Sequence, residues 1–121
     1  MLTKDFISQC KAIGGKIEDD RCVKHVSFVN RLNQLVERIV EVVPVKEGNV
    51  VIEGNRWDSG FDTHIFVPTH KNAFDLAKQI IDAEGNPVKM YEIATEKLFE
   101  YDARILDPSD KKDSKILEQI V

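Results

Sequence analysis

Alternating apolar and polar residues mark two segments of this chain as strands with one buried face. In the first segment, positions 61, 63, 65 and 67 are Phe61, Thr63, Ile65 and Val67. In the second, charged residues alternate with Phe99, Tyr101, Ala103 and Ile105. Successive side chains of a strand point to opposite faces, so each segment presents one apolar and one polar side. This pattern is typical of an antiparallel sheet with one face on a core.

Apolar residues at helical spacing predict helices before and between these strands. Thr3 is a suitable N-cap for a helix that ends near Ile13, before two glycines. The clearest amphipathic stripe lies between Asn30 and Pro44 and consists of Leu32, Leu35, Val36, Ile39, Val40 and Val43. Its spacing predicts a helix that Pro44 ends.

Two further helices are predicted in the second half of the chain. One opens at Pro68-Thr69 and is broken by Gly85-Asn86-Pro87. The other opens at Asp107-Pro108-Ser109 and carries its apolar residues only near its end, so it is expected to dock loosely or to serve in dimerisation. The remaining strand-like segments lie at 16–18, 22–26, 50–53 and 88–93.

Two short patterns recur at about forty-residue spacing. A proline, a hydroxyl residue and a lysine occur in 64–71 and again in 104–111, and Glu-Gly-Asn occurs at 47–49 and 84–86. The simplest interpretation is three strand–strand–helix repeats of about 40 residues behind an N-terminal helix. Chance similarity between amphipathic segments is the alternative. Either way, we predict a single α+β domain over 1–121, with helices on one face of a mainly antiparallel sheet.

Size and charge restrict the class of function. A chain of 121 residues with a net charge of −4 suits one small domain and is too acidic for a broad nucleic-acid-binding surface. The first residues lack the pattern of a signal peptide, and no apolar run is long enough to span a membrane. We therefore expect a soluble, cytoplasmic protein without a membrane partner. Cys10 and Cys22 lack metal-finger spacing and are interpreted as ordinary thiols, with a disulfide between them as the alternative.

The polar side of the two alternating strands is the first candidate site. It is predicted to carry Asp62, His64, Phe66, Glu100 and Asp102, with Arg104 beside them. Glu53 and Glu92 extend this acidic face if their strands share its orientation. The face is either a solvated sheet surface or a docking surface for a basic partner, since opposite charge steers encounter and sets specificity.

The loop bounded by Gly54 and Gly60 is the second candidate site. It contains Trp57, the single tryptophan of the chain, between Arg56 and Asp58. Tryptophan and arginine are enriched among residues that dominate binding energy, and binding residues collect on loops held by a rigid scaffold. The alternative is that Trp57 folds back and closes the end of the core.

The sequence favours binding over catalysis. It contains none of the common metalloprotease, phosphate-loop or nucleophile-elbow motifs, and we expect no cofactor or metal. We predict a non-enzymatic protein of the inhibitor, immunity or anti-defence type. It would dock on a basic partner, such as a nuclease or another nucleic-acid-binding effector, through the acidic face and the Trp57 loop.

Two other functions stay open from the sequence. Asp62 and His64 lie two residues apart on one strand and His70 follows, so they could serve a small metal-dependent or acid–base enzyme. A homodimeric structural subunit whose sheet pairs with itself is the third possibility.

Overall fold

A computed structural model describes residues 2–55 and 58–120, and for residues 58–61 the backbone alone. Its elements are α1 (Lys4–Ala12), β1 (Lys16–Glu18), β2 (Arg21–Val29), β3 (Leu35–Val45), β4 (Gly48–Asn55), β5 (Asp58–Val67), α2 (His70–Ala83), α3 (Pro87–Glu92), a π-helical turn (Ile93–Lys97), α4 (Leu98–Glu100), β6 (Arg104–Ile105) and α5 (Lys111–Glu118). Within the described residues, six strands form one antiparallel sheet in sequence order, β1 to β6. The predicted α+β class with a mainly antiparallel sheet is therefore confirmed.

The N-terminal helix and the first hairpin follow their local signals. The Thr3 hydroxyl accepts a hydrogen bond from the Phe6 amide at 3.1 Å and so caps α1. Asp19 and Asp20 have φ angles of 50° and 59°, the left-handed geometry that a tight hairpin turn requires, and they join β1 to β2. The sequence predicted both the helix and the hairpin.

The predicted helix at 32–43 is wrong, because this segment forms β3. Part of its apolar stripe fits helical spacing because the strand is buried on both faces near Val42 and Val43, whereas Leu32 and Leu35 are exposed. Val40 and Val42 pack into the cluster beneath α2, whereas Val43 packs into a cluster on the opposite face. A short apolar run does not distinguish a buried strand from a helix, and β-branched valine and isoleucine favour the strand.

Two predicted strands after α2 are also wrong. Residues 88–93 were expected to be a strand, but residues 87–100 are helical. The helix begins where Asn86 accepts a hydrogen bond from the Lys89 amide and Pro87 occupies the first turn. The chain reverses at Asp102, which has a φ of 54°, and pairs with β5 only at Arg104 and Ile105. The three-unit repeat is therefore not found in the order of elements.

The main core lies between α1, α2 and one face of the sheet. Its buried members from the sheet include Val42, Val51 and Val67, and α2 contributes Phe74 and Ile80, among others. The Phe6 ring of α1 packs edge-on against Phe74, with ring centroids 5.0 Å apart. We call this the helix-covered face.

The opposite face is covered in part by α5, which corrects the prediction that all helices lie on one side. Ile116 and Ile120 pack there against Val43, Val50 and Ile52. Polar contacts also hold the helix and the residues that follow it. Arg104 pairs with Asp113, Arg21 Nη2 donates to the Ile120 carbonyl at 2.8 Å, and the Lys46 amide donates to Gln119 Oε1 at 2.9 Å. The helix is therefore fixed to the sheet rather than loosely docked.

Cys10 and Cys22 form a disulfide that joins α1 to β2, so the prediction of two ordinary thiols is wrong. Both residues are fully buried in the main core. Gly15 makes room for the bond, because a Cβ at this position would stand 2.6 Å from the Cys22 sulfur.

Among the described residues, no helix is long and apolar enough to cross a membrane.

Candidate functional site

An open groove of about 760 Å³ lies on the helix-covered face, between the β2–β3 turn and the start of α3. Its apolar lining consists of Phe28, Leu32, Val36, Pro87 and Met90. Its polar lining consists of Asn30, Arg31, Arg38, Glu53, Glu84 and Asn86. The combination of a concave apolar wall with a few convergent polar groups is the usual composition of a binding site.

One guanidinium and two carboxyl groups meet at the wall of this groove. Arg38 Nε and Nη2 donate to the same oxygen of Glu53, at 2.8 and 2.5 Å. The second carboxyl belongs to Glu84, whose Oε2 lies 4.0 Å from Arg38 Nε. The side chains of Glu53 and Glu84 are 10% and 5% exposed, so both carboxyl groups are nearly removed from water. We call these three residues the carboxyl cluster.

Strand register and one turn bring the carboxyl cluster together. Arg38 pairs with Asn55 and Val40 with Glu53, which places Arg38 and Glu53 diagonally on the same face. Glu84 follows directly after α2. Gly85 adopts a φ of 80°, and a Cβ there would come within 2.8 Å of the Phe28 ring. Glycine at this position therefore allows the α2–α3 turn to close against β2 beside the cluster.

Burial is the main influence on the protonation of Glu84. It raises the pKa of this carboxyl to about 8, helped by the hydrogen bond and the negative charge of Glu53 and opposed by Arg38. Burial and the neighbouring Glu53 carboxyl both disfavour the charged form of Glu84, so Glu84 is expected to hold a proton near neutral pH. Glu84 thus keeps its proton at a pH where an exposed glutamate is fully ionised.

This shift predicts that the folded state loses stability as pH rises from about 5 to 8. Folding raises the pKa of Glu84 above its ordinary 4.5, so within this interval the folded state holds a proton that the unfolded state has released. After allowance for water that reaches the open groove, we expect a loss of about 2 kcal/mol. Urea unfolding at several pH values measures it.

Two comparisons isolate this effect. Glu84→Gln should remove the slope, whereas Glu96→Gln, an equal loss of charge at an exposed position, should keep it. Asp107 and Asp113, whose pKa values are also shifted, do not contribute to the slope between pH 5 and 8. Hydrogen bonds from Ser109 lower the pKa of Asp107 below its ordinary 3.8. Hydrogen bonds from the Asp107 amide and Arg104 do the same for Asp113. Both carboxyls therefore change the pH dependence of stability only below this pH range. A slope that persists in Glu84→Gln would contradict the assignment.

The mouth of the groove carries one strongly exposed apolar residue, Leu32. Leu32 lines the groove at the β2–β3 turn and is 76% exposed. Val29 and Leu35, which pair with each other at the ends of β2 and β3, are also exposed, but by alternation they lie on the opposite face of the sheet from the groove. The Asn30 side chain holds the turn, since its Oδ1 accepts from the Leu32 and Gln34 amides at 2.9 Å each. Apolar residues are therefore presented to solvent on an ordered turn.

Three of the residues predicted to form the acidic face lie together on β5. Asp62, His64 and Phe66 share the face opposite the main core, where His64 pairs with Ile52 and Phe66 with Val50. That face is not open at Phe66, whose ring packs on the α5 cluster and lies 5.5 Å from the Arg104 guanidinium. The Asp62 carboxyl lies against Gly54, where a Cβ would overlap it.

The other predicted residues do not complete this face. Glu100 is in α4 and pairs with Lys97 at 3.3 Å, and Asp102 is in the turn after it, so neither lies on the sheet. The interpretation of 99–105 as a strand was the source of this error. Arg56 and Trp57 lie outside the described residues. Asp58 is described only through its backbone, which pairs with Asn55.

The residues of the predicted enzyme site do not converge. His70 contacts Asn49 on the helix-covered face, with Nδ1 2.6 Å from Asn49 Oδ1, whereas His64 and Asp62 are on the opposite face. The sheet therefore separates the two histidines. Among the described residues, no group of three or more histidine, cysteine, aspartate or glutamate side chains is placed to hold a metal ion.

The sequence analysis missed the carboxyl cluster. Arg38 was assigned to a helix, and Glu84 was treated only as part of a turn. One signal pointed to Glu53, because it ends the apolar run Val50-Val51-Ile52 and remains buried there. A charged residue that continues such a run requires a partner, and the partner lies on the neighbouring strand.

Comparisons with known proteins do not assign this chain to a family. No protein-family model, no curated protein and no solved structure matches it.

Proposed function

We propose that this protein acts by binding another protein that presents a basic surface. The observation that carries the proposal is the groove, with exposed Leu32 at its mouth and the Glu84 carboxyl in its wall. A concave apolar wall with a few convergent polar groups, beside an exposed leucine, is typical of a binding surface. The net charge of −4 favours a basic partner, because opposite charge speeds encounter and excludes acidic competitors.

The particular form that we propose is an inhibitor or immunity-type protein that covers a basic effector, such as a nuclease. The surface differs from the one expected from the sequence, since the groove replaces the acidic sheet face as the main contact. The Trp57 loop remains part of the proposal. Its described neighbour Asn55 pairs with Arg38 of the carboxyl cluster, so the strand that leads into this loop adjoins the groove.

The disulfide weighs against the proposed cytoplasmic location. Disulfides persist in oxidising compartments and are rare in the cytosol. An inhibitor that meets its effector outside the cytosol would be compatible with both the disulfide and the groove.

Peptide selection tests the binding function without a known partner. A random linear peptide library is selected on the immobilised protein, and the affinity of enriched peptides is measured by calorimetry. We expect enriched sequences with a basic residue beside apolar ones. Leu32→Ser should weaken binding by about tenfold or more.

The matched control is Val88→Ser, which removes an equally exposed apolar side chain from α3 outside the groove and should leave binding unchanged. Trp57→Ala is measured beside it and is expected to weaken binding as well. No enriched peptide, or peptides that bind Leu32→Ser as tightly as the wild type, would reject the groove as a protein-binding surface.

A further inference from the structure

We infer that the groove receives the cationic end of a lysine or arginine side chain from the partner, and that Glu84 is the group that binds it. The inference rests on the proposed function and specifies the chemistry of its central contact.

One buried oxygen of the carboxyl cluster, Glu84 Oε1, has no hydrogen-bond partner among the described residues. Arg38 and Glu53 neutralise each other through two short hydrogen bonds. Glu84 is farther from the guanidinium, and no donor among the described residues reaches its Oε1, although this side chain is 5% exposed. A buried acceptor without a partner is costly. A ligand that brings an N–H donor would satisfy it, and a cationic donor would also compensate the carboxylate.

The rest of the lining suits the stem of a basic side chain. Lysine and arginine carry three or four methylene groups before their charge, and these need apolar surface. Phe28, Val36 and Met90 provide such surface beside Glu84. The Phe28 ring adds a face on which a cation can be stabilised.

The remaining charges do not favour an anion in place of a cation. Charged side chains line the groove from the β2–β3 turn (Arg31), from β3 (Arg38), from β4 (Glu53) and from the end of α2 (Glu84), while α3 contributes Pro87 and Met90. Arg38 is already bound to Glu53, and Arg31 is exposed at the mouth, where water screens it. An anion would have to displace Glu53, whereas a cation displaces only the proton on Glu84.

This exchange links binding to pH. Where Glu84 holds a proton, a cation binds and the proton leaves to solvent, so no other group changes its charge. Affinity should therefore rise with pH until Glu84 ionises without the ligand. Below that point, each unit of pH changes the dissociation constant by up to about tenfold.

The test uses three probes with the same alkyl chain: hexylammonium, 1-hexanol and hexanoate. Each is titrated into the full chain and followed by NMR of the Met90 methyl group and of the backbone amides. We expect hexylammonium to bind about tenfold more tightly than either other probe at pH 8.5. Glu84→Gln should reduce hexylammonium to the affinity of hexanol, and Glu96→Gln, which removes one charge outside the groove, should leave it unchanged.

The outcomes separate this inference from the proposed function. Equal affinities for the three probes, no dependence of hexylammonium binding on pH in the wild type, or equal losses in Glu84→Gln and Glu96→Gln would overturn the cation site. The wild-type pH series needs no variant and is decisive even if Glu84→Gln fails to fold. Selected peptides that bind Glu84→Gln at full strength would overturn the cation site and keep the protein-binding function. Binding of hexylammonium at Glu84 without any selected peptide would keep the site and reject the protein partner.

Discussion

Replacement of both cysteines by alanine is expected to lower the free energy of unfolding by about 3 kcal/mol. Cys10 and Cys22 are separated by 12 positions, and the bond between them restricts the loop that contains the turn after α1 and the β1–β2 hairpin. In the unfolded chain this restriction removes conformational entropy, which is the source of the stabilisation in the loop-closure account. For a domain of this size the expected fall in Tm is about 12 °C.

Reduction of the wild-type protein provides the matched measurement, because it breaks the same bond without changing the sequence. Thermal unfolding with and without dithiothreitol should show the same direction of change as the double variant. A thiol assay on the unfolded, unreduced protein should detect no free cysteine. Equal Tm values for the oxidised and reduced protein would show that the bond does not contribute to stability, and free thiol before reduction would show that it does not form.

Arg38→Met is expected to destabilise the fold by about 3 kcal/mol at pH 8. The Arg38 side chain is 25% exposed, and its guanidinium compensates two carboxyl groups that are almost completely buried. Without it, Glu53 and Glu84 are left as neighbouring carboxyls in an apolar wall, which is the costly way to break a buried ion pair. Loss of the guanidinium removes the charge that lowers the pKa of Glu84, so this pKa would rise further, and the destabilisation should be smaller at pH 5.

Two variants control this experiment. Arg31→Met removes an exposed guanidinium from the mouth of the same groove and should change stability by no more than about 0.5 kcal/mol. Arg38→Met combined with Glu53→Leu removes both members of the pair and should recover much of the loss. If Arg38→Met behaves like Arg31→Met under urea unfolding, the buried pair does not exist in solution.

Elements with strong end signals could be predicted from the sequence. α1 and α2 begin at Thr3 and Thr69, whose hydroxyls accept hydrogen bonds from amides three residues later. The alternation in β5 also survives, because Ile65 and Val67 pack into the main core and Phe66 lies on the other face. These features depend on neighbours in the chain, and such local interactions are visible in a sequence.

The candidate site could not be predicted in the same way. Arg38, Glu53 and Glu84 are distant in the sequence, and they meet only because β3 pairs with β4 and because the α2–α3 turn closes on β2. The predicted acidic face depended on 99–105 being a strand. In the structure, this alternating segment instead forms the end of α4, a turn at Asp102 and the short strand β6. A polar pattern shows which side of an element faces water but not which elements are neighbours.

The sequence by itself determined the α+β class, the N-terminal helix, the β1–β2 hairpin, the long strand β5 and the start of α2. Tertiary structure decided that 35–45 is a strand, that α5 covers the second face, and that Cys10 reaches Cys22. The physical reason is the range of the interactions. Caps and turns are stabilised by residues a few positions apart, whereas a strand buried on both faces, a disulfide and a buried carboxyl are stabilised by partners that only the folded chain brings close.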